Sequence, residues 1–354
     1  MDKNYFSKHI DYKRRYLNLK GGGVNKDLIR GVIWGVICGD CSGIPFEFME
    51  NSESRLLLDS IISKYGKLQL IGKGPFNLKA AQPSDDSEMT ICLLYSIITK
   101  GKYNQNHVAK QYIKWFNSTP PDIGLTIKRS LFTRKPSLNA KDMVENSKTL
   151  NISSLSNGVL MRITPLAIIG ISMSDEELKK NIDKECDLTH PNEIIKDVAF
   201  VYCIAIKNLL LNKDRNEVYN ICYDIIKTPR MKIVLGDSKH KPEPIYSITD
   251  RGECFVNTDD KQFQGYVGIA LQNAFYELLN GNTFYDSMIN IIKRGGDTDT
   301  NCAIAGGLLG AFYGYKNIDQ EWISSIKNVD RGVKFIAPSQ VDIYIDELIK
   351  LISK

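Results

Sequence analysis

Gly31-Val32-Ile33-Trp34-Gly35-Val36-Ile37-Cys38-Gly39-Asp40-Cys41-Ser42-Gly43 puts a glycine at every fourth position of an apolar run. The spacing returns near the other end of the chain, where Gly306, Gly310 and Gly314 follow Thr300, beside Ala303, Gly307 and Ala311. On a helix, residues four apart share a face. Each interior glycine costs about 1 kcal/mol of helix propensity relative to alanine. A face that repeats this cost is one where another backbone comes close. Both stretches therefore read as tightly packed helices, and what hangs at their ends bears on function.

Working outward, segments with helical apolar spacing follow one another: Lys26 to Gly39, Glu88 to Lys100, Asn106 to Trp115, Val159 to Ile171, Glu193 to Leu211 and Glu217 to Ile226. Val267 to Asn280, Phe284 to Lys293, Asn301 to Tyr313, Glu321 to Lys327 and Val341 to Ile352 continue the series. Strand-like runs are short, at Leu68 to Ile71 and Lys232 to Leu235. The expectation is an all-α fold, one compact multi-helix domain over residues 25–354. Residues 1–24, with Lys13-Arg14-Arg15 and Gly21-Gly22-Gly23, read as a partly ordered basic arm. The polar stretch 236–264, holding Pro242 and Pro244, reads as a surface insertion.

Composition narrows the class. In 354 residues, 43% hydrophobic and 25% charged, there is ample material for a buried core, which excludes disordered and mini-protein classes. A net charge of +5 is too small and too unpatterned for a nucleic-acid binder. Eight cysteines lie mostly inside apolar stretches, as reduced core thiols of an intracellular protein would. Cys38 and Cys41 form a C-x-x-C without a second pair or a nearby histidine, so they read as helix-packing thiols. The apolar runs fall short of the ~20 residues of a membrane span, and no signal core precedes them. A cytoplasmic protein with no membrane partner is expected.

Three acidic groups sit at helix ends. Asp40 and Glu47 follow the first glycine helix, Ser84-Asp85-Asp86-Ser87 precedes the helix near Glu88, and Gly295-Gly296-Asp297-Thr298-Asp299-Thr300 precedes the second. Each alone could be an N-cap. A cap needs one carboxylate, however, whereas a tight glycine turn beside Asp297 and Asp299 can aim two. If the glycine helices pack together, up to five carboxylates converge, and they cannot all ionise without a counter-cation. With oxygen donors only, the ion would be hard, Mg²⁺ or Mn²⁺ rather than Zn²⁺. Four carboxylates with Ser84 and Thr300 could hold two ions.

Taken in order, Gly35 to Glu47, Ser84 to Ser87, Ser156-Asn157-Gly158-Val159-Leu160-Met161-Arg162, Thr189-His190-Pro191 and Gly295 to Thr300 resemble the ADP-ribosylglycohydrolase family. The resemblance spans about Leu28 to Gly314. It implies an all-helical enzyme with a binuclear Mg²⁺ or Mn²⁺ centre that hydrolyses the bond between C1″ of ADP-ribose and an acceptor. The substrate would be an ADP-ribosylated protein or a small ADP-ribose conjugate. Ser84, Asp85, Asp86, Asp297, Asp299 and Thr300 match the metal ligands, with Asp85, Asp86 and Asp299 also counted as catalytic. Glu47 matches an acidic residue near the metals and is expected to move the proton. Ser154, Asn157 and Gly158 match a loop that holds phosphates and ribose, and His190 lines the ADP-ribose cleft.

Some residues depart from the family pattern or have plainer readings. Ser84 and Ser87 stand where Thr is more usual and keep the hydroxyl. Ser156 replaces a Gly, and Val159 and Leu160 replace small residues, which adds side chains near the expected diphosphate contacts. His9, His107 and His240 read as ordinary surface residues. Thr189-His190-Pro191 by itself reads as a helix start. Arg162 reads as a core ion-pair partner, and Tyr266 either stacks on adenine or packs in the core. A nucleotide phosphohydrolase, or a non-enzymatic ADP-ribose reader or crystallin-like protein, remains the rival reading.

Overall fold

Asn25 opens the first helix: its side-chain oxygen accepts hydrogen bonds from Asp27 N at 3.1 Å and Leu28 N at 3.4 Å. The computed structural model describes residues 24–132, 138–249, 253–255 and 261–353. In chain order the helices are α1 (Lys26–Gly43), α2 (Asn51–Tyr65), α3 (Asp85–Lys100), α4 (Gln105–Phe116), α5 (Leu125–Leu131) and α6 (Ala140–Leu150). Next come α7 (Thr164–Ile169), α8 (Asp175–Asp187), α9 (Glu193–Leu210), α10 (Arg215–Ile225) and α11 (Pro229–Asp237). A small antiparallel sheet β1-β2-β3 (Ser247–Ile248, Glu253–Phe255, Lys261–Phe263) precedes α12 (Val267–Asn280), α13 (Phe284–Ile292), α14 (Thr298–Tyr313), α15 (Gln320–Lys327) and α16 (Val341–Ile352). The all-α expectation holds, and residues 1–23 of the expected arm lie outside the described residues.

The core is organised by α1 and α14. A Cβ on Gly31, Gly35, Gly39 or Gly43 would lie 2.2, 2.1, 2.1 or 2.4 Å from the carbonyl oxygens of Gly310, Gly306, Cys302 and Thr298 respectively. The partners count down as the glycines count up, so the helices run antiparallel with their backbones touching. The C-terminus of α1 thus meets the N-terminus of α14. Helices α12, α13 and α9 pack around α14, and α3 and α16 around α1. Helix α1 is long and apolar enough to cross a membrane, but 89% of that window is buried inside the fold.

Three sequence expectations need correction. Lys232 to Leu235 is helical: Pro229 stands in the first turn of α11, where its missing N–H costs nothing, and Met231 and Leu235 share the buried face. Leu68 to Ile71 joins no sheet. There Leu68 N donates to Tyr285 Oη at 2.7 Å and Leu68 O accepts from Trp322 Nε1 at 3.2 Å, so side chains replace a ladder. The helix expected over Val159 to Ile171 begins only at Thr164, because Pro165 is tolerated in a first turn and not further in. The strands lie instead within the stretch read as an insertion. Helices α2 and α8 escaped the periodicity reading because few of their residues are apolar and buried.

The backbone contact predicts opposite signs for one substitution at two sites. Gly310→Ala places a Cβ 1.9 Å from Gly31 O and should cost at least about 3 kcal/mol of stability. Gly236→Ala, where the nearest atom is Tyr223 Cε2 at 3.7 Å, should be neutral or stabilise by up to about 1 kcal/mol. Chemical denaturation measures both; a Gly310→Ala protein as stable as the parent would show that the two helices need not touch.

Candidate functional site

Three helix ends meet where α1 stops. Asp40, in the last turn of α1, accepts from Ser84 N at 3.0 Å, Ser84 Oγ at 2.8 Å, Ser87 N at 3.3 Å and Ser87 Oγ. It therefore caps α3 from a neighbouring helix and fixes where Asp85 and Asp86 stand. The α14 end is set by Gly295 and Gly296, at φ +79° and +84°, a region open to glycine. Phe48 N donates to Gly296 O at 2.7 Å and Gly296 N to Met49 O at 2.8 Å, which ties the Glu47 loop to the turn carrying Asp297. Thr298 Oγ1 closes the junction by donating to Gly43 O at 2.8 Å.

The carboxylates converge in two overlapping groups. Oxygens of Asp40, Asp86 and Asp299 lie within 4.8 Å of one another, as do those of Glu47, Asp297 and Asp299, so Asp299 belongs to both. Asp86 Oδ1 is buried without a hydrogen-bond partner. Asp297 Oδ2 accepts from Asn157 Nδ2 at 2.7 Å, and Asp299 Oδ1 from Thr300 N at 2.8 Å. Asp85 stands outside both groups; its Oδ2 accepts from Gly124 N at 3.2 Å.

Electrostatics makes the cluster unstable as a set of anions. Burial, followed by neighbouring carboxylates, pushes Glu47, Asp86 and Asp299 well above the usual range. Burial outweighs four hydrogen bonds to raise Asp40 to about 7, and it raises Asp85 to about 6. An unpartnered buried carboxylate oxygen, oxygen-only donors and two overlapping groups fit hard divalent cations.

The site opens into a cleft of about 410 Å³. Glu47, Asp85, Asp297, Asp299 and Thr300 line it, and so do Ser156, Asn157, Gly158 and His190. Ser154 is set back from the lining: its Oγ lies 3.1 Å from Thr126 Oγ1 and 3.3 Å from Ser156 Oγ. Tyr266 is not brought into the cleft. Its ring lies under the Arg230 guanidinium, 4.9 Å from the centroid, in a neighbouring cavity of about 350 Å³. Val159 and Leu160 are fully buried, so of the three departures only Ser156 reaches the cleft.

Thr189 does not start a helix, since α9 is capped by Asn192 further on. Arg162 is buried and pairs with Glu185 at 2.9 Å, as expected of a core ion pair, though it sits in a turn. His240 is exposed, whereas His107 is partly buried against Ser96 Oγ at 2.8 Å, and His9 lies outside the described residues.

Sequence reading missed Asp122. Burial and then the charge of Asp85 raise it to about 9, and Asp122 is the neighbouring charge that most raises Glu47. Pro120-Pro121 before it and Gly124 two positions on were the available sign of a rigid turn delivering a carboxyl. The phenylalanines at the cleft were also missed: Phe48, Phe76 and Phe263 line it and stay exposed.

These shifts carry a stability prediction. Carboxyls raised in the folded state hold protons that the unfolded chain, with values near 4, has already released. Without metal, stability is then highest below about pH 4 as far as these groups go, and it falls as pH rises through about 6 to 9. Thermal melting in EDTA should fall from pH 5 to pH 8, and Mg²⁺ or Mn²⁺ should reverse much of the fall. A flat profile that ignores the cation would mean the carboxylates do not form one charged cluster.

Comparison with known proteins agrees with this geometry. The ADP-ribosylglycohydrolase family model matches residues 24–352. A mimivirus protein named as an ADP-ribosyl glycohydrolase is 31% identical over 315 residues, covering 84% of this chain and 90% of its own. The ADP-ribosyl-dinitrogen reductase glycohydrolase of Rhodospirillum rubrum is 25% identical, over 87% of this chain and 93% of its own. A solved structure titled as an ADP-ribosylglycohydrolase-related protein complex superposes with a TM-score of 0.69 at 18% identity, covering 93% of this chain and 99% of that one. With the family model matched almost end to end, the chain belongs to the ADP-ribosylglycohydrolase family of hydrolases.

Proposed function

We propose that this hydrolase cleaves the glycosidic bond between C1″ of an ADP-ribosyl group and an acceptor, a protein side chain or a small conjugate, with two ions of the Mg²⁺ or Mn²⁺ kind. The observation that carries the reading is the pair of carboxylate groups sharing Asp299, of which Glu47, Asp297 and Asp299 line a cleft that also carries hydroxyl, amide and imidazole groups. Asp86, Asp297 and Asp299 would hold the ions, with Ser84, Asp85 and Thr300 beside them. When bound, such ions orient ribose hydroxyls and acidify water.

The chain's own groups do the rest. Asn157 Nδ2 holds Asp297 in place, and Asp40 holds the α3 terminus. Ser156, Gly158 and His190 present polar groups to the phosphates. Glu47, as the carboxylate, is the proposed acceptor of a proton from the water whose oxygen bonds to C1″, as C1″ becomes oxocarbenium-like and its bond to the acceptor breaks. Asp122, which lines the same cleft beside Asp85, would return a proton to the departing acceptor. All eight cysteines are free and buried, which supports placement in a reducing, cytoplasmic compartment.

Purified protein with Mg²⁺ or Mn²⁺, assayed against arginine-, serine- and O-acetyl-linked ADP-ribose, should release ADP-ribose from at least one. Inorganic phosphate as product would instead identify a phosphohydrolase, and tight binding without turnover a reader. EDTA should abolish release. Asp299→Asn and Glu47→Gln should each lower kcat by at least about 10²-fold while keeping the helical fold. A charge-neutral variant that keeps full activity would remove that residue from the mechanism.

A further inference from the structure

Arg162 is fully buried, and its guanidinium carries only donors. Nε donates to Glu185 Oε1 at 2.9 Å and to Tyr112 Oη at 3.1 Å. Nη1 donates to Gly158 O at 2.8 Å, and Nη2 to Thr189 Oγ1 at 2.7 Å. Thr189 Oγ1 must therefore accept from Arg162. Its other neighbour is His190 Nδ1, 2.8 Å away. Thr189 is itself fully buried, and a hydroxyl proton left without an acceptor there would cost about 1–3 kcal/mol. Among the described residues Nδ1 is the acceptor within reach, so the hydroxyl donates to it and the ring proton is left on Nε2.

Nε2 lies 2.9 Å from Ser156 Oγ, in the wall of the cleft, and Ser156 Oγ in turn lies 3.2 Å from Thr126 Oγ1. Gly158 leaves room for the ring: a Cβ there would sit 3.1 Å from His190 Cε1 and Nε2. Burial and then the charge of Arg162 hold His190 well below the usual imidazole range. Its tautomer, not its charge, therefore decides what it offers to the cleft.

We propose that Arg162 is a positioning residue that fixes the Nε2–H tautomer of His190 through Thr189, so that Ser156 Oγ accepts from the ring and keeps its own proton to donate to an anionic group bound in the cleft. The identity of that group rests on the ADP-ribosyl reading, whereas the tautomer does not. A serine in place of Thr189 keeps the relay. An aspartate replaces the donor with an acceptor and reverses it, placing a proton on Nδ1.

Nitrogen-15 spectra of the imidazoles, with the His190 signals identified by their loss in His190→Gln, test this directly. The parent and Thr189→Ser should show an unprotonated Nδ1 and a protonated Nε2. Thr189→Asp should show a protonated Nδ1. In calorimetric titration, ADP-ribose should bind Thr189→Ser within about twofold of the parent and Thr189→Asp at least about tenfold more weakly, the loss of one hydrogen bond to a charged group. A proton on Nδ1 in the parent, or an unchanged ring in Thr189→Asp, would overturn the proposal. Should Thr189→Asp fail to fold, the parent and Thr189→Ser spectra decide it. Absence of ADP-ribose binding in the parent would sink the substrate reading while leaving the tautomer assignment standing.

Discussion

The backbone contact between α1 and α14 is the constraint on which the rest of the structure depends. Four successive glycines of α1 lie against carbonyl oxygens of α14, so neither helix can rotate or slide by a residue without forcing a side chain into a main chain. The helices are antiparallel, and the contact brings the C-terminus of one to the N-terminus of the other. Asp40 and Glu47 thereby arrive beside Asp297 and Asp299 although some 250 residues separate them. The N-terminal ends of α3 and α14 also meet at this junction, where Ser87 N donates to Asp40 and Thr300 N to Asp299, so the helix ends favour negative charge there.

That placement concentrates more negative charge than the fold alone can neutralise. Glu47, Asp86 and Asp299 are raised by burial and then by neighbouring carboxylates, Asp297 and Asp122 among them in every case, and Asp86 Oδ1 has no hydrogen-bond partner. A core built only for stability would place apolar groups here. The arrangement fits a latent affinity: a divalent ion would relieve the repulsion and would find ligands already in position. Asp40 has a different part. With both oxygens engaged by Ser84 and Ser87, it acts mainly as a strut between α1 and α3, and it illustrates how a carboxylate can serve a site without facing its ligand.

Arg162 organises the second half of the cleft by similar logic and opposite charge. Buried and paired with Glu185, it spends its remaining donors on Gly158 O and Thr189 Oγ1, and so fixes the loop and the histidine that border the site. Asn157 links the two halves, since its amide reaches Asp297 while its backbone N–H donates to Gly265 O at 3.0 Å.

The sequence by itself determined the fold class, the major amphipathic helices and the acidic groups, because each depends on short-range spacing. Val267 to Asn280 and Val341 to Ile352 are legible to the residue from their periodicity. The glycine stripes announced a close approach, and the paired aspartates beside Gly295-Gly296 announced more than a cap. Tertiary structure alone decided which backbone faces which. It turned Lys232 to Leu235 into helix, set Asp85 apart from both carboxylate groups, and moved Tyr266 out of the cleft. It also brought in Asp122, whose neighbours in sequence carry no sign of Glu47 or Asp85. The physical reason is common to these cases. Local pattern reports a residue's preference for burial or for a turn, whereas the charge it meets and the cavity it faces are set by segments far away in the chain.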